Sequence, residues 1–244
     1  MSNVVLSAHQ PNFMPYLGFF DKMKQSDIFV IRDEVLFVER DYHHRNRIRK
    51  NGSNGIESPQ FSWLTVPVEK EQDYLGNILI KRGVSRKHGK HIFPWNQDML
   101  HEIDVNYQKA DYFKTFFPEV EMILDNSDSR LISLNMKLIE FFKKAFEIDT
   151  PIIMASSLRL KSLTYHKSDP TEDIVSLCKH LGANVYLSGS GGREYIRPEP
   201  FVRERIELKF QDYSHPKYKQ NFPGFAPYMC SLDALLCTGG MPIN

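Results

Sequence analysis

His9-Gln10-Pro11-Asn12 sets an imidazole, a carboxamide and a second amide side by side, directly after the first apolar run, Val4-Val5-Leu6-Ser7-Ala8. An imidazole can act as acid, base or hydrogen-bond donor near neutral pH. The amides beside it suit a carbonyl- or phosphate-handling site. Pro11 and Pro15 fix the turn that leads into Tyr16 to Lys24, read as a short aromatic helix. In open α/β sheets ligands bind at the carboxyl ends of the strands. The order strand, polar turn, helix therefore makes His9, Gln10 and Asn12 the candidate catalytic group. The competing reading makes Asn12 a helix cap.

Further clusters supply candidate binding residues. Asp33 and Glu34 end an apolar run, and Arg45, Asn46 and Arg47 sit in the basic stretch 40–50. Arginine forks grip phosphate and carboxylate bidentately, so this stretch suits an anionic ligand, or else forms a solvated loop. His43-His44 has neither cysteine partners nor His-x-x-x-His spacing, so no metal centre is expected. Ser188-Gly189-Ser190-Gly191-Gly192 ends another apolar run just ahead of Arg193. Such a turn lets backbone amides approach an anion, although glycine also serves ordinary tight turns. It lacks the phosphate-loop spacing of G-x-x-x-x-G-K-[ST]. His215, in the polar stretch 211–220, is the last binding candidate; the alternative is a structural histidine. Cys230 and Cys237 lie in apolar surroundings and read as small core residues.

These residues need a scaffold. Val4 to Ala8 and Asp27 to Ile31 read as strands closing around one helix, a βαβ unit that implies a parallel sheet. Positions 51–55, Asn-Gly-Ser-Asn-Gly, are the strongest loop signal. Phe61 to Val68 alternates as a half-buried strand, with Pro67 marking an edge or an end. Leu131 to Phe146 carries a 3.6-residue apolar period, whereas Tyr107 to Leu124 is a weaker helical stretch interrupted by Pro118. Asp169-Pro170-Thr171-Glu172 is a capping box with proline at the first helical position. The helix it opens closes at Gly182. Pro151 to Ser156, Val185 to Leu187 and Ile206 to Phe210 read as strands. The expectation is a single α/β domain over residues 1–244 with a mostly parallel sheet, Rossmann-like or nucleotidyltransferase-like, and a helical insertion at about 97–147.

Lys and Arg number 31 against 30 Asp and Glu in 244 residues. That balance provides no bulk field for nucleic acid or an anionic membrane, leaving only the local patches 40–50 and 81–91. Nucleic acid is accordingly disfavoured as a partner. Three cysteines without a Cys-x-x-Cys pair fit free thiols in a reducing compartment. The first residues carry no secretory pattern, and no apolar run approaches membrane-spanning length. The expectation is a cytoplasmic protein without a membrane partner.

Ala8-His9-Gln10-Pro11-Asn12-Phe13 through Leu17-Gly18-Phe19-Phe20-Asp21-Lys22, then Arg45-Asn46-Arg47-Ile48, Trp63 to Val68, Tyr186 to Gly189, Phe210 to Tyr213 with His215-Pro216, and Ser231 to Leu236 follow one another in order. Together they resemble the WbqC-like family of bacterial proteins over essentially the full length. The resemblance implies a product of a surface-polysaccharide (O-antigen) gene cluster that modifies amino sugars by adding a glycyl or similar acyl group. With the anion-suited turns it implies a transferase acting on the amino group of a nucleotide-linked sugar. His9 is then the acid/base or carbonyl-polarising group, and Gln10 and Asn12 orient the substrate. Asp33, Arg45, Asn46, Arg47, Ser188, Gly189, Arg193 and His215 form the binding set. The resemblance names no cofactor, and ATP or an acyl-CoA is compatible with it. Rival readings are an ATP-dependent ligase unrelated to sugars and a non-catalytic binding subunit. The first βαβ unit is faintly similar to nucleotidyl-transferring enzymes with an H-x-G-H motif, of which only His9 and Gly18 are present.

Overall fold

The computed structural model describes residues 3–50, 60–69, 73–88, 91–160 and 169–242; the loop signal at 51–55 and Lys90 of the second basic patch lie outside them. In chain order the elements are β1 (Val5–His9), α1 (Leu17–Lys24), β2 (Ile28–Ile31), β3 (Arg45–Arg49) and β4 (Phe61–Thr65). β5 (Ser85–His88), β6 (His91–Pro94), α2 (Trp95–Tyr107), α3 (Phe113–Asp125) and α4 (Leu131–Ala145) follow. The chain closes with β7 (Ile152–Met154), α5 (Pro170–His180), β8 (Val185–Ser188), α6 (Glu199–Arg203), β9 (Glu207–Phe210) and α7 (Ser231–Thr238).

Two compact units share these elements. The first takes Met1–Pro11, Gly18–Leu36 and Ile148–Ser214. Its sheet runs β7-β2-β1-β8-β9 with every pair parallel. Counted along the unit, that is strand order 3-2-1-4-5, the doubly wound arrangement whose direction of winding reverses between its first and fourth strands. Both faces of such a sheet are covered, which explains the uninterrupted apolar run Ile28-Phe29-Val30-Ile31. On one face Leu6, Ala8, Val30 and Tyr186 pack with Ile174, Leu177 and Cys178 of α5 and with Phe201 of α6. On the other, Phe29 meets Phe19 of α1 edge-on at 5.1 Å. The capping expectation holds: the Asp169 carboxylate accepts from the Thr171 amide at 2.9 Å, with proline at the start of α5. Gly182, just past the helix end, takes φ +68°, the left-handed conformation that glycine adopts without strain.

The second unit comprises Asn12–Leu17, Phe37–Glu147 and His215–Asn244. The antiparallel ribbon β3–β4 pairs Arg47 with Trp63, and β5–β6 forms a second hairpin. The 45–49 segment is thus a strand rather than a solvated loop: Asn46 and Ile48 turn inward, Arg45 and Arg47 are more exposed, and Arg49 at its end is buried. Helix α3 runs through Pro118, and the break falls at 108–112 instead. A proline in the second turn removes only one helical hydrogen bond.

Buried Asp233 ties this unit together, accepting from Tyr107 Oη at 2.5 Å, Tyr218 Oη at 2.6 Å and Gln220 Nε2 at 2.8 Å. Tyr107 Oη in turn accepts from the Arg49 amide at 2.8 Å. The buried Arg49 guanidinium donates to the carbonyls of Gln60 at 3.0 Å and Pro223 at 2.8 Å. Among the described residues no helix is long and apolar enough to cross a membrane.

Candidate functional site at the sheet switch point

In the first unit the β1–β2 ladder extends to His9↔Ile31 and the β8–β9 ladder to Ser188↔Phe210. Between β1 and β8 only Val5↔Val185 and Leu6↔Tyr186 pair. Past that point side chains do the bridging. Ser7 Oγ donates to the Leu187 carbonyl at 2.9 Å and itself accepts from Ser26 Oγ at 2.6 Å. The carboxyl ends of the adjacent strands thus open at the switch point, where doubly wound sheets take their ligands.

His9 closes β1, half-buried, with its ring edge-on to Phe19 at 4.9 Å and Nδ1 2.9 Å from the Gln10 carbonyl. The His9 carbonyl accepts from the Arg32 amide at 2.8 Å, which ties the ends of β1 and β2. Ser188, buried, ends β8; its hydroxyl donates to the Gly189 carbonyl at 3.1 Å and its carbonyl accepts from the Gln211 amide at 2.7 Å. The glycines that follow differ in purpose. A Cβ on Gly192 would collide with Ser188 Oγ and lie 2.9 Å from Ile196 Cδ1, whereas one on Gly191 would meet open space. Arg193 is exposed, and its guanidinium stacks 4.3 Å above the Phe210 ring at the end of β9.

Lys22 was not among the residues expected here. It lies 3% exposed, and its Nζ donates to the Ala8 carbonyl at 3.0 Å. An ideal Cβ on Gly189 would stand 3.7 Å from that nitrogen. Burial lowers the amine from 10.5 to about 7. Its spacing from Phe19 placed it on the inward stripe of α1, a signal present in the helical period.

Asp33 and Glu34 follow β2. Both Asp33 oxygens are engaged by Ser156, one by its amide at 3.0 Å and the other by its hydroxyl at 2.5 Å. This latches the turn after β7. Glu34 bonds to Arg32 Nε, whose Nη2 lies 3.8 Å from Asp173. Burial raises the Glu34 carboxyl, against the pull of Arg32.

The remaining expected residues belong to the second unit. Asn12 is buried, and its Oδ1 has no hydrogen-bond partner among the described residues. The Asn46 carboxamide donates to the Met14 carbonyl at 2.8 Å and the Phe13 carbonyl at 3.2 Å, and accepts from the Arg47 amide at 2.8 Å. Those bonds hold Met14 at φ 41°, in the left-handed region. Arg45 stacks on Trp63 at 4.6 Å and Arg47 on Phe61 at 5.1 Å. His215 stands among Tyr228, Phe225 and Tyr218; its Nε2 accepts from the Tyr228 amide at 3.3 Å, and burial lowers its pKa to about 4. Both ring nitrogens of His44 face main-chain carbonyls, Val66 at 2.9 Å and Glu39 at 2.8 Å. Among the described residues no group of His, Cys, Asp and Glu could hold a metal ion.

His9, Gln10, Asp33, Ser188, Gly189 and Arg193 therefore share the α/β unit, and Asn12, Arg45, Asn46, Arg47 and His215 the other. Within the α/β unit the arrangement offers a titratable imidazole at one strand end, a buried hydroxyl at the next, and cationic groups at Lys22 and Arg193. Groups of these types exchange a proton and pair with an anion, and here they stand at adjacent strand ends of one sheet.

Residues 10–243 match the model of the WbqC-like protein family. The chain is 28% identical over 235 residues to Rv1507c, an uncharacterized protein of Mycobacterium tuberculosis, covering 94% of this chain and 92% of that protein. No solved structure matches the chain.

Proposed function

The chain belongs to the WbqC-like protein family, and from that premise we propose that it transfers an acyl or aminoacyl group, such as glycyl, to the amino group of a nucleotide-linked sugar in surface-polysaccharide biosynthesis. The observation that supports this reading is the opened switch point, which brings His9 and Ser188 to neighbouring strand ends beside a buried lysine and a stacked arginine. Amide formation requires the sugar amine to lose a proton as it attacks an activated carbonyl. His9 takes that proton as general base. The Gln10 carboxamide orients the substrate; in the other unit Asn12 keeps a buried Oδ1 with no hydrogen-bond partner among the described residues, an acceptor of its own. Ser188, Gly189 and Arg193 hold the nucleotide phosphates; in the other unit Arg45, Arg47 and His215 offer binding groups of their own for an anionic ligand. Asp33 and Asn46 act through the turns they hold in place. The carbonyl would be activated as a CoA thioester, CoA leaving as the amide forms, or as the adenylate made from a carboxylate and ATP with release of pyrophosphate, AMP then leaving; the cytoplasm, where nucleotide sugars are made, is the proposed compartment.

The test is a thermal-shift panel of ATP, CoA thioesters and UDP-, GDP- and dTDP-linked amino sugars, followed by mass spectrometry of the sugar. A ligand at about 100 times its Kd stabilises the fold by roughly 2.7 kcal/mol. A sugar-dependent shift and a mass gain matching the acyl group, with turnover abolished in His9→Ala, are expected. Turnover in His9→Ala within a few-fold of wild type would remove His9 from the chemistry. ATP and amino-acid dependence without any sugar would replace the transferase with a ligase.

A further inference from the structure

Lys22 is a charged residue in a place where charge is costly. Its amine lies inside the first unit with the side chain 97% removed from solvent, and among the described residues no carboxylate comes within ion-pair distance. An ammonium carries three N–H donors. One goes to the Ala8 carbonyl at 3.0 Å, and the Phe29 ring lies 5.9 Å from the nitrogen. Apolar packing alone would be met at no such cost by methionine or leucine, since burying an unpaired charge is strongly unfavourable.

The location supplies a reason. Nζ stands where the β1–β8 ladder has already ended, over Gly189, which presents no side chain to it. Ala8 and Gly189 mark the two strand ends that open at the switch point. We propose that Lys22 is the phosphate-binding cation of the switch point, its ammonium taking a phosphoryl oxygen of the ligand between the ends of β1 and β8. The inference rests on the reading that the substrate is linked to a nucleotide, and it names the group that holds that substrate's diphosphate. The amine's proton affinity, lowered by burial, accords with a cation whose counter-ion arrives with the ligand.

A purely structural Lys22 would serve only to stitch α1 to the Ala8 carbonyl. Lys22→Gln separates the roles, because its amide can still donate to that carbonyl but carries no charge. Inorganic pyrophosphate and UDP are titrated calorimetrically into the wild-type chain, Lys22→Gln, Lys22→Met and the exposed control Arg203→Ala, with thermal melts to confirm folding. Wild type and Arg203→Ala are expected to bind pyrophosphate alike. Lys22→Gln should weaken it about 10- to 100-fold, the value of a charged hydrogen bond. Should one variant fail to fold, the other carries the comparison. Pyrophosphate binding within twofold of wild type in a folded variant overturns the inference, as does a wild type that binds neither probe at millimolar concentration. Lysine-dependent pyrophosphate binding without sugar modification leaves the inference standing and removes the transferase. UDP and pyrophosphate responding together place the site on a nucleotide diphosphate; pyrophosphate alone places it on free phosphate.

Discussion

Lys22 should make this protein gain stability as the solution turns alkaline, and the size of the gain follows from its burial. The amine's pKa falls from 10.5 to about 7 on folding. Between those values the unfolded chain binds the proton and the folded chain releases it, so stability rises with pH throughout that window. Folding against that proton costs about 4 kcal/mol at pH 7, falling to about 2 kcal/mol at pH 9. Lys22→Met abolishes the term and forfeits the hydrogen bond to Ala8, a loss of about 1 kcal/mol that does not depend on pH. The measurement is therefore the difference in unfolding free energy between variant and wild type at pH 7, 8 and 9.

That difference should move by about 2 kcal/mol in favour of wild type from pH 7 to pH 9. Taking the difference matters, because burial also pushes the thiols of Cys178, Cys230 and Cys237 up to about 12. Thiols held protonated in the fold lower stability at alkaline pH, equally in both proteins. Trp63 and Trp95 both lie in the second unit, so far-UV circular dichroism must follow the α/β unit in place of tryptophan fluorescence. A difference constant with pH would refute the reasoning: Lys22 would then keep its proton in the fold.

Other perturbations read other parts of the molecule. Asp233→Asn sets an amide N–H against groups that now donate to a carboxylate, and should cost about 2–4 kcal/mol in urea unfolding followed by tryptophan fluorescence. Gly192→Ala drives its Cβ toward Ser188 Oγ and should cost about 1–3 kcal/mol, with Ser188→Ala in the same background recovering part of it. His215 has its pKa lowered from 6.5 to about 4 by burial. The unfolded chain binds more protons in that window, so stability falls as pH drops from 6.5 to 4. His215→Phe should flatten its share of that slope, while His43, also lowered to about 4, keeps its own; an unchanged slope would place the His215 ring in water.

The α/β unit was readable because its signals are local. Apolar runs of strand length, the Asp169-Pro170 cap and Gly182 each act over a few residues, and β1, α1, β2, α5, β8 and β9 lie within about a residue of expectation. The sheet order was not readable, since it depends on pairings such as Leu6↔Tyr186 between remote segments. At 40–50 the dense charge concealed a strand, in which Arg45 and Arg47 stack on Trp63 and Phe61 while Arg49 is buried. At the candidate site, His9 and Ser188 follow from strand-end logic, which finds residues in turns. Lys22 escaped it because it reaches the crevice from the middle of a helix, and Asn46 carries its hydrogen bonds inward to Phe13 and Met14.

The α/β sheet is assembled from distant stretches of chain, and that sets the timing of its biosynthesis. Phe29 pairs with Ile152 and Leu6 with Tyr186. Closing a loop of roughly 120 residues costs on the order of 4 kcal/mol in chain entropy before the β2–β7 ladder forms. At about 5–20 residues per second, β1 leaves the ribosome roughly 10–35 seconds before β8, its second partner, and β2 roughly 6–25 seconds before β7. Throughout the shorter interval Ile28-Phe29-Val30-Ile31 is an apolar strand paired on one edge only, by β1, and open on the other to chaperones and to other nascent chains. Ser188 and Gly189 emerge late in the same synthesis, so the strand end that neighbours His9 exists only once most of the polypeptide has been made.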